Sequence, residues 1–534
     1  ERGMWANQAE FLLSCIGYCV GLGNVWRFPY LAYDNGGGSF IIPYLIMLTF
    51  CGIPLFMIEL ALGQFSGYGV ITAWRASPIF KGIGYGMMVV SFLVAIYYNV
   101  IIAWSLFYMF ASFQSVLPWT SSCGKDWNVN SCVQTNVTFG RINITMVKHK
   151  LPYSKHYFMN RVLRINKSEG IGDPGTVLWD LVLCLLLAWL IVFFCLIKGV
   201  KSSGKVVYFT ATFPYIILII LLVRGCTLDG ARRGIVFYVT PKWDKLRTAK
   251  VWKDAATQIF YSLGTSFGGL LTFASYNKFR NNIYRDTLIV AIGNCATSVF
   301  AGFVIFSVIG HMAYKLNLNV EDVSKIVASI FIFLGPGLAF IIYPEAVSLL
   351  PAPQLWSILF FFMLLTLGLD SQFAMVETVI TGFMDEFPKL LRPYKTLFTA
   401  GICTVCFLMG ILMVTEGGLY WFELYNWYSA YYGLLINSLI LSIVAAWGFF
   451  FTYKWRLVKD IKMMIGFNPN WYFRINWMFI TPGLLLFVII YSGINSVPIS
   501  VGGYVYPKWA DDLGLCMSVT CVALIPIYMV YRII

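Results

Sequence analysis

Two short runs of small and polar residues interrupt otherwise apolar sequence. They are Gly17-Tyr18-Cys19-Val20-Gly21-Leu22-Gly23-Asn24 and Ser262-Leu263-Gly264-Thr265-Ser266-Phe267-Gly268-Gly269. Inside a membrane each backbone N–H and C=O must find a partner within the protein, so a helix unwinds only where it is buried or lines a cavity. An unwound helix then offers two kinds of chemistry. Free amides at the positive end of a half-helix suit a carboxylate, and freed carbonyls suit a cation. A third feature points the same way: Asp370 lies in the apolar run Phe360 to Phe373, where a lone carboxylate is costly without a counter-cation. Its oxygens are hard ligands that suit a hard cation. The combination describes a site for a zwitterion bound together with sodium. Glycines also serve close helix packing, but that alternative leaves the Asn and Ser beside both breaks without a purpose.

The elements that must position these residues are membrane helices. Of 534 residues, 59% are hydrophobic and 12% charged, against about 25% charged in an ordinary soluble domain. Apolar runs long enough to cross a hydrocarbon core of about 30 Å recur along the whole length. The expected spans are Leu12 to Tyr30, Phe40 to Leu62, Tyr85 to Phe113, Val177 to Ile197, Val206 to Val223, Ala255 to Phe279, Leu288 to Ala313, Trp356 to Met384, Leu397 to Val414, Leu419 to Phe451, Trp477 to Tyr491 and Leu513 to Ile534. These define an all-α membrane protein of twelve transmembrane helices in a single domain covering 1–534. The breaks fall in the first and sixth spans, which is the pattern of two inverted five-helix repeats followed by helices 11 and 12.

The short connections Lys198 to Lys205, Lys278 to Arg285, Lys389 to Lys395 and Lys454 to Lys462 collect Lys and Arg. The positive-inside rule places them, and with an even span count both termini, in the cytoplasm. The net charge of +14 is then topology, with no basic soluble segment to hold nucleic acid. The first span is full length and follows a short charged stretch, so no cleavable signal peptide is expected. The long segment 116–175 falls outside. It carries three glycosylation acceptors, Asn136, Asn143 and Asn166, and the pair Cys123 and Cys132, which an oxidising compartment would join as a disulfide. The remaining cysteines mostly sit in apolar spans as small buried hydrophobes. The three histidines form no ligand pattern.

The stretches Gly21-Leu22-Gly23-Asn24-Val25-Trp26-Arg27-Phe28-Pro29-Tyr30, Asn35-Gly36-Gly37-Gly38 and Ala274-Ser275-Tyr276-Asn277-Lys278-Phe279 resemble the signatures of the neurotransmitter:sodium symporter family. The resemblance runs from Arg2 and Trp5 to the last span. Within the amino-acid branch, 11–30, 258–263, 268–276 and 364–374 are most similar to proline-carrying members. Phe50 to Phe56 and Phe80 to Ser91 are more similar to glycine-carrying ones.

The resemblance implies a first sodium site from the Cys19 carbonyl, Asn24, Ser262 and Asn294, completed by the substrate carboxylate. A second would use the carbonyls of Gly17, Val20 and Leu367 with the side chains of Asp370 and Ser371. Chloride would take Tyr44, Gln258, Ser262, Asn294 and Ser298, because Ser298 stands where chloride-independent bacterial relatives carry a carboxylate. The substrate carboxylate would meet the amides of Leu22 and Gly23 and the Tyr98 hydroxyl. Tyr18, Gly21, Val94, Phe260, Gly264, Ser266, Phe267, Ser371 and Met375 would shape the rest. Gly21 implies an amino acid, since the monoamine branch has Asp there. Gly264 replaces a Ser of some relatives and removes an acceptor near the amine, which favours N-alkylated substrates such as proline or betaine.

Three positions depart from the family pattern. Ser266 replaces a Gly of the proline-carrying members and adds bulk near the pocket. Arg27, the expected outer gate, faces Asn426 and Trp427 where the family has an acid. An apolar stretch, Ile326 to Leu334, looks inserted before Gly335-Pro336-Gly337. At the inner gate Arg2 and Asp385 occupy the family's pairing positions. The function expected is sodium- and chloride-coupled import of a small neutral or N-alkylated amino acid, proline first, glycine or betaine as alternatives. The partners are that substrate, two sodium ions, chloride and the lipid bilayer. A substrate-gated channel or amino-acid sensor on the same fold is the rival. An enzyme is not expected, since the spans hold no paired catalytic constellation.

Overall fold

The structure, a computed structural model, describes residues 3–120, 153–316, 319–320, 338–348, 351–448, 456–495, 499–501 and 503–534. Among these, ten helices are long and apolar enough to cross a membrane, eleven when one bent pair counts as a single span. The bent pair is α1 (Gln8–Cys19) and α2 (Gly23–Asp34), which meet at 45°. Then come α3 (Gly38–Ser66), α4 (Pro78–Ala111), α5 (Trp179–Leu196) and α6 (Ser202–Cys226). The sixth expected span is divided into α7 (Ala249–Leu263) and α8 (Gly269–Ala274). The chain continues through α9 (Ile283–Tyr314), α10 (Pro353–Glu386), α11 (Lys395–Val414), α12 (Gly418–Trp447), α13 (Trp471–Ile494) and α14 (Lys508–Ile533). Helix lies within each of the expected stretches, the first and the sixth in two pieces, and the count of twelve is reached only by joining the short α7 and α8 into one span. The expected disulfide Cys123–Cys132, the acceptors Asn136 and Asn143, the stretch Ile326 to Leu334 and Arg2 lie outside the described residues.

Local sequence explains the breaks. Asn7 starts α1 by accepting from the Glu10 amide at 2.9 Å, a standard N-cap. At the other break Gly264 and Gly268 adopt φ of +62° and +90°, conformations that cost glycine little. Between them Ser266 sits at φ +65°, a strain of about 1–3 kcal/mol for a residue with a Cβ. Two neighbours hold it there: Glu59 of α3 accepts from its amide, and Ser438 of α12 donates to its hydroxyl at 2.8 Å.

Burial separates the centre of the bundle from its rim. In α4 and α10, 83% of the central window is buried, whereas α13 and α14 bury 28% and 22%. The two pairing helices at the core thus frame the breaks, and the last two helices lie at the periphery with apolar side chains exposed. The end carrying residues 153–178 is the one the positive-inside pattern assigns to the exterior, called outer below. There a two-residue antiparallel pair, β1 (Ser500–Val501) and β2 (Tyr504–Val505), meets the Ile171 amide through the Tyr504 hydroxyl at 3.3 Å. Nearby the Thr176 amide donates to Glu416 at 3.0 Å and holds that carboxyl below the usual range. Asn166 lies exposed on a short turn in the same region.

Candidate functional site

The two breaks touch each other at mid-bundle. The Tyr18 hydroxyl donates to the Gly264 carbonyl at 2.8 Å, and the Cys19 thiol to the Leu263 carbonyl at 3.3 Å. Where they meet lies a cavity of about 40 Å³, lined by Tyr18, Cys19, Gly21, Gly23, Asn24, Val94, Tyr98, Tyr261, Ser262, Gly264, Phe267, Ser371 and Met375. Helices α1, α2, α4, α7 and α10 and the 264–268 segment each contribute. At about 10–15 Å³ per enclosed water, the space suits a few waters or a ligand of few atoms.

One wall is a cluster of neutral oxygens and amides. Asn24 Nδ2 donates to Ser262 Oγ at 3.1 Å, to Asn294 Oδ1 at 2.7 Å and to Ser298 Oγ at 2.8 Å. Asn294 Nδ2 reaches Ser262 Oγ at 2.9 Å, and the Tyr44 and Ser298 hydroxyls lie 3.1 Å apart. Gln258 Nε2 donates to the Gly23 carbonyl at 3.2 Å while its Oε1 is buried without a partner. All of these residues are buried. Asn24 Oδ1 accepts from the Gly21 amide at 3.1 Å, and the oxygens of Ser262, Asn294 and Ser298 gathered around Nδ2 are hard donors of the kind that suit a hard cation. The first sodium and chloride sets expected from sequence thus converge on one spot.

A second polar group, the Asp370 carboxyl, stands next to Ser371 of the lining without itself lining the cavity. Asp370 Oδ1 accepts from the Thr210 hydroxyl at 2.5 Å, and Oδ2 is buried without a partner. Its neighbour on α1 is Gly17, where any Cβ would overlap the Asp370 carboxylate. Ser371 donates to the Tyr18 carbonyl at 3.1 Å. Asp370, Ser371 and Gly17 are therefore together at the first break.

Three expected substrate residues are not on the lining, and one on it was not expected. The lining has Tyr261 rather than Phe260, which is 1% exposed; successive helix residues point about 100° apart, so a shift of one moves a side chain off the wall. Leu22 contributes its backbone, its amide facing the Tyr98 hydroxyl at 3.4 Å. Ser266 turns to Ser438, so its bulk leaves the cavity unchanged. Gly21 is constrained from two sides, since a Cβ there would stand 2.6 Å from Ser371 Oγ and 3.0 Å from Tyr98 Oη.

Toward the outer end Arg27 stacks over the Tyr261 ring at 4.7 Å. The expected contact with Asn426 is not made: Asn426 Nδ2 donates to Glu423 at 3.2 Å instead. At the inner end Asp385 accepts from the Gly69 amide at 2.7 Å and from Arg392 at 3.0 Å. Above it Tyr276 joins Thr381 and Glu377, and Trp5 donates to the Phe273 carbonyl at 2.9 Å. These contacts tie the residues before α1 and after α8 to α8 and α10.

The sequence profile of the sodium:neurotransmitter symporter family matches residues 2–534. The chain belongs to this family. It is 50% identical to "Sodium- and chloride-dependent glycine transporter 1" of Xenopus laevis over all of this chain and 84% of that one. It is 49% identical to "Sodium- and chloride-dependent glycine transporter 2" of the same species, over 99% and 69%. It is also 49% identical to "Sodium- and chloride-dependent neutral and basic amino acid transporter B(0+)" of Mus musculus, over 100% and 86%. As a member of this symporter family the chain is a multi-pass membrane transporter, not an enzyme. In a sodium symporter, the Asn24 cluster and the Asp370 carboxyl become places to look for the ion.

Proposed function

We propose that this chain imports a small neutral amino acid across the plasma membrane, driven by sodium and requiring chloride. The observation that carries the reading is the cavity at the meeting of the two breaks, lined by Asn24 and Ser262 of the neutral cluster and by Ser371, whose chain neighbour is the half-satisfied Asp370. The neutral cluster has no charge of its own, so a cation there needs the substrate carboxylate, and Gly21 leaves no room for a protein carboxylate beside it. That selects amino acids over simple amines. Chloride beside Ser298 supplies the remaining negative charge.

Glycine leads among the candidates, because the cavity is small and two of the reported relatives are named as glycine transporters. Proline or betaine is the second reading, favoured by Gly264. The ring of Tyr18 fills the space a side chain would take there, so no hydroxyl stands there to accept from the amine, and an amine with fewer protons loses less. Transport proceeds by alternating access around the midplane site, both termini staying cytoplasmic and the 116–175 loop glycosylated outside. Each net positive charge carried inward gains about 2.3 kcal/mol per 100 mV. The test is uptake of labelled glycine, proline and betaine into vesicles holding the chain, replacing sodium and then chloride. Accumulation above equilibrium that needs both ions supports the reading; equilibration without accumulation returns it to the channel or sensor.

A further inference from the structure

Two opposite charges near the mouth of the cavity are each half satisfied. Arg27 stacks on Tyr261, and its Nη1 is buried without a hydrogen-bond partner. Glu423, on α12, takes the Asn426 amide on Oε2, and its Oε1 is likewise buried without a partner. Phe422, next to Glu423, packs edge-on against Tyr97 at 5.6 Å, the Tyr97 and Tyr261 hydroxyls share a hydrogen bond, and Tyr261 lines the cavity. No ion pair joins Arg27 and Glu423 among the described residues, so α2 carries a spare donor and α12 a spare acceptor.

We propose that Glu423 is the charge partner of Arg27 when the outer mouth closes, and that Asn426 positions its carboxylate. This rests on the transport reading above. A buried donor or acceptor left unmade is costly, and joining the two removes both deficits at once. The guanidinium fork matches a carboxylate in two-pronged geometry, which an Asn side chain with its amide already engaged does not offer. Arg27 and Glu423 are only half-buried, and pairs that keep contact with water are weak enough to open on each cycle. The arrangement in this structure, Arg27 on the ring and Glu423 on Asn426, is then the parted state of that pair.

The test uses the full chain with uptake and sodium-dependent substrate binding read side by side. Glu423→Gln keeps the shape and the Asn426 bond; removing one member of a charge pair should lower maximal uptake by about tenfold or more while binding in detergent stays intact. Asn426→Asp alone crowds two carboxylates and should lower uptake. Combined as E423Q/N426D, the acid returns one turn along the helix, and uptake should recover several-fold over E423Q. Parental uptake in E423Q, increased uptake in N426D, no recovery in the double variant, or loss of binding together with uptake would each overturn the proposal. A parent chain that accumulates no substrate with sodium would instead sink the transport reading itself.

Discussion

The Asn24 cluster and the Asp370 carboxyl, two polar walls at and beside the cavity, hold oxygen in opposite ways. The Asn24 wall has four neutral side chains joined by hydrogen bonds, Asn24 to each of Ser262, Asn294 and Ser298, and Asn294 to Ser262. The Asp370 wall has one carboxylate with a single hydroxyl donor and a free buried oxygen. A neutral cluster satisfied by its own hydrogen bonds is stable when empty, and it binds a cation only when an anion arrives beside it. A half-satisfied buried carboxylate is under tension until a cation comes. On the reading proposed above, the first couples sodium to substrate and chloride, and the second binds sodium on its own account.

That contrast breaks most sharply at Asp370. Asp370→Asn keeps shape and the Thr210 contact but removes the charge. Losing one partner of a buried charge contact costs about 3–5 kcal/mol, so sodium-driven uptake should fall by about two to three orders of magnitude with surface delivery intact. Uptake near the parent's would show that the carboxylate is not an ion ligand and that the two walls do not differ as argued.

The neutral wall gives a smaller effect of a different kind. Ser298 lies 3.1 Å from the Tyr44 hydroxyl and 2.8 Å from Asn24. Ser298→Glu places a fixed anion where chloride is expected. Uptake by this variant in chloride-free medium should rise from near nothing to a measurable fraction of its rate in chloride. Transport that continues to need chloride as strongly as the parent would count against an anion at this wall.

How much of this was legible in sequence follows from which signals are local. The breaks were visible because glycines clustered with Asn and Ser inside apolar runs have few other uses. The register of α7 was not, because Phe260 and Tyr261 are both aromatic and only helix phase decides which faces the cavity. The rule that singled out Asp370 applies equally to Glu59, Glu377 and Glu423, each a carboxylate in an apolar helix, and it points to Glu423 without any family pattern. Its partner lies on α2, far off in sequence, so only the fold brings the two together.

Ser266 supplies the finest test. At φ +65° its Cβ costs about 1–3 kcal/mol, and its hydroxyl gains about 1 kcal/mol from Ser438. Ser266→Gly removes both at once, so stability should change little or rise slightly. Ser266→Ala keeps the strain and loses the bond, lowering stability by about 1 kcal/mol, a difference measurable as a shift in thermal midpoint. Neither variant should change the ratio of glycine to proline uptake by more than about twofold, because the side chain points to α12 and not into the cavity. A clear switch of substrate in S266G would mean that the hydroxyl enters the pocket in some state of the cycle. The 264–268 segment would then be a moving wall, and the contrast between the two walls would hold for only one state of the carrier.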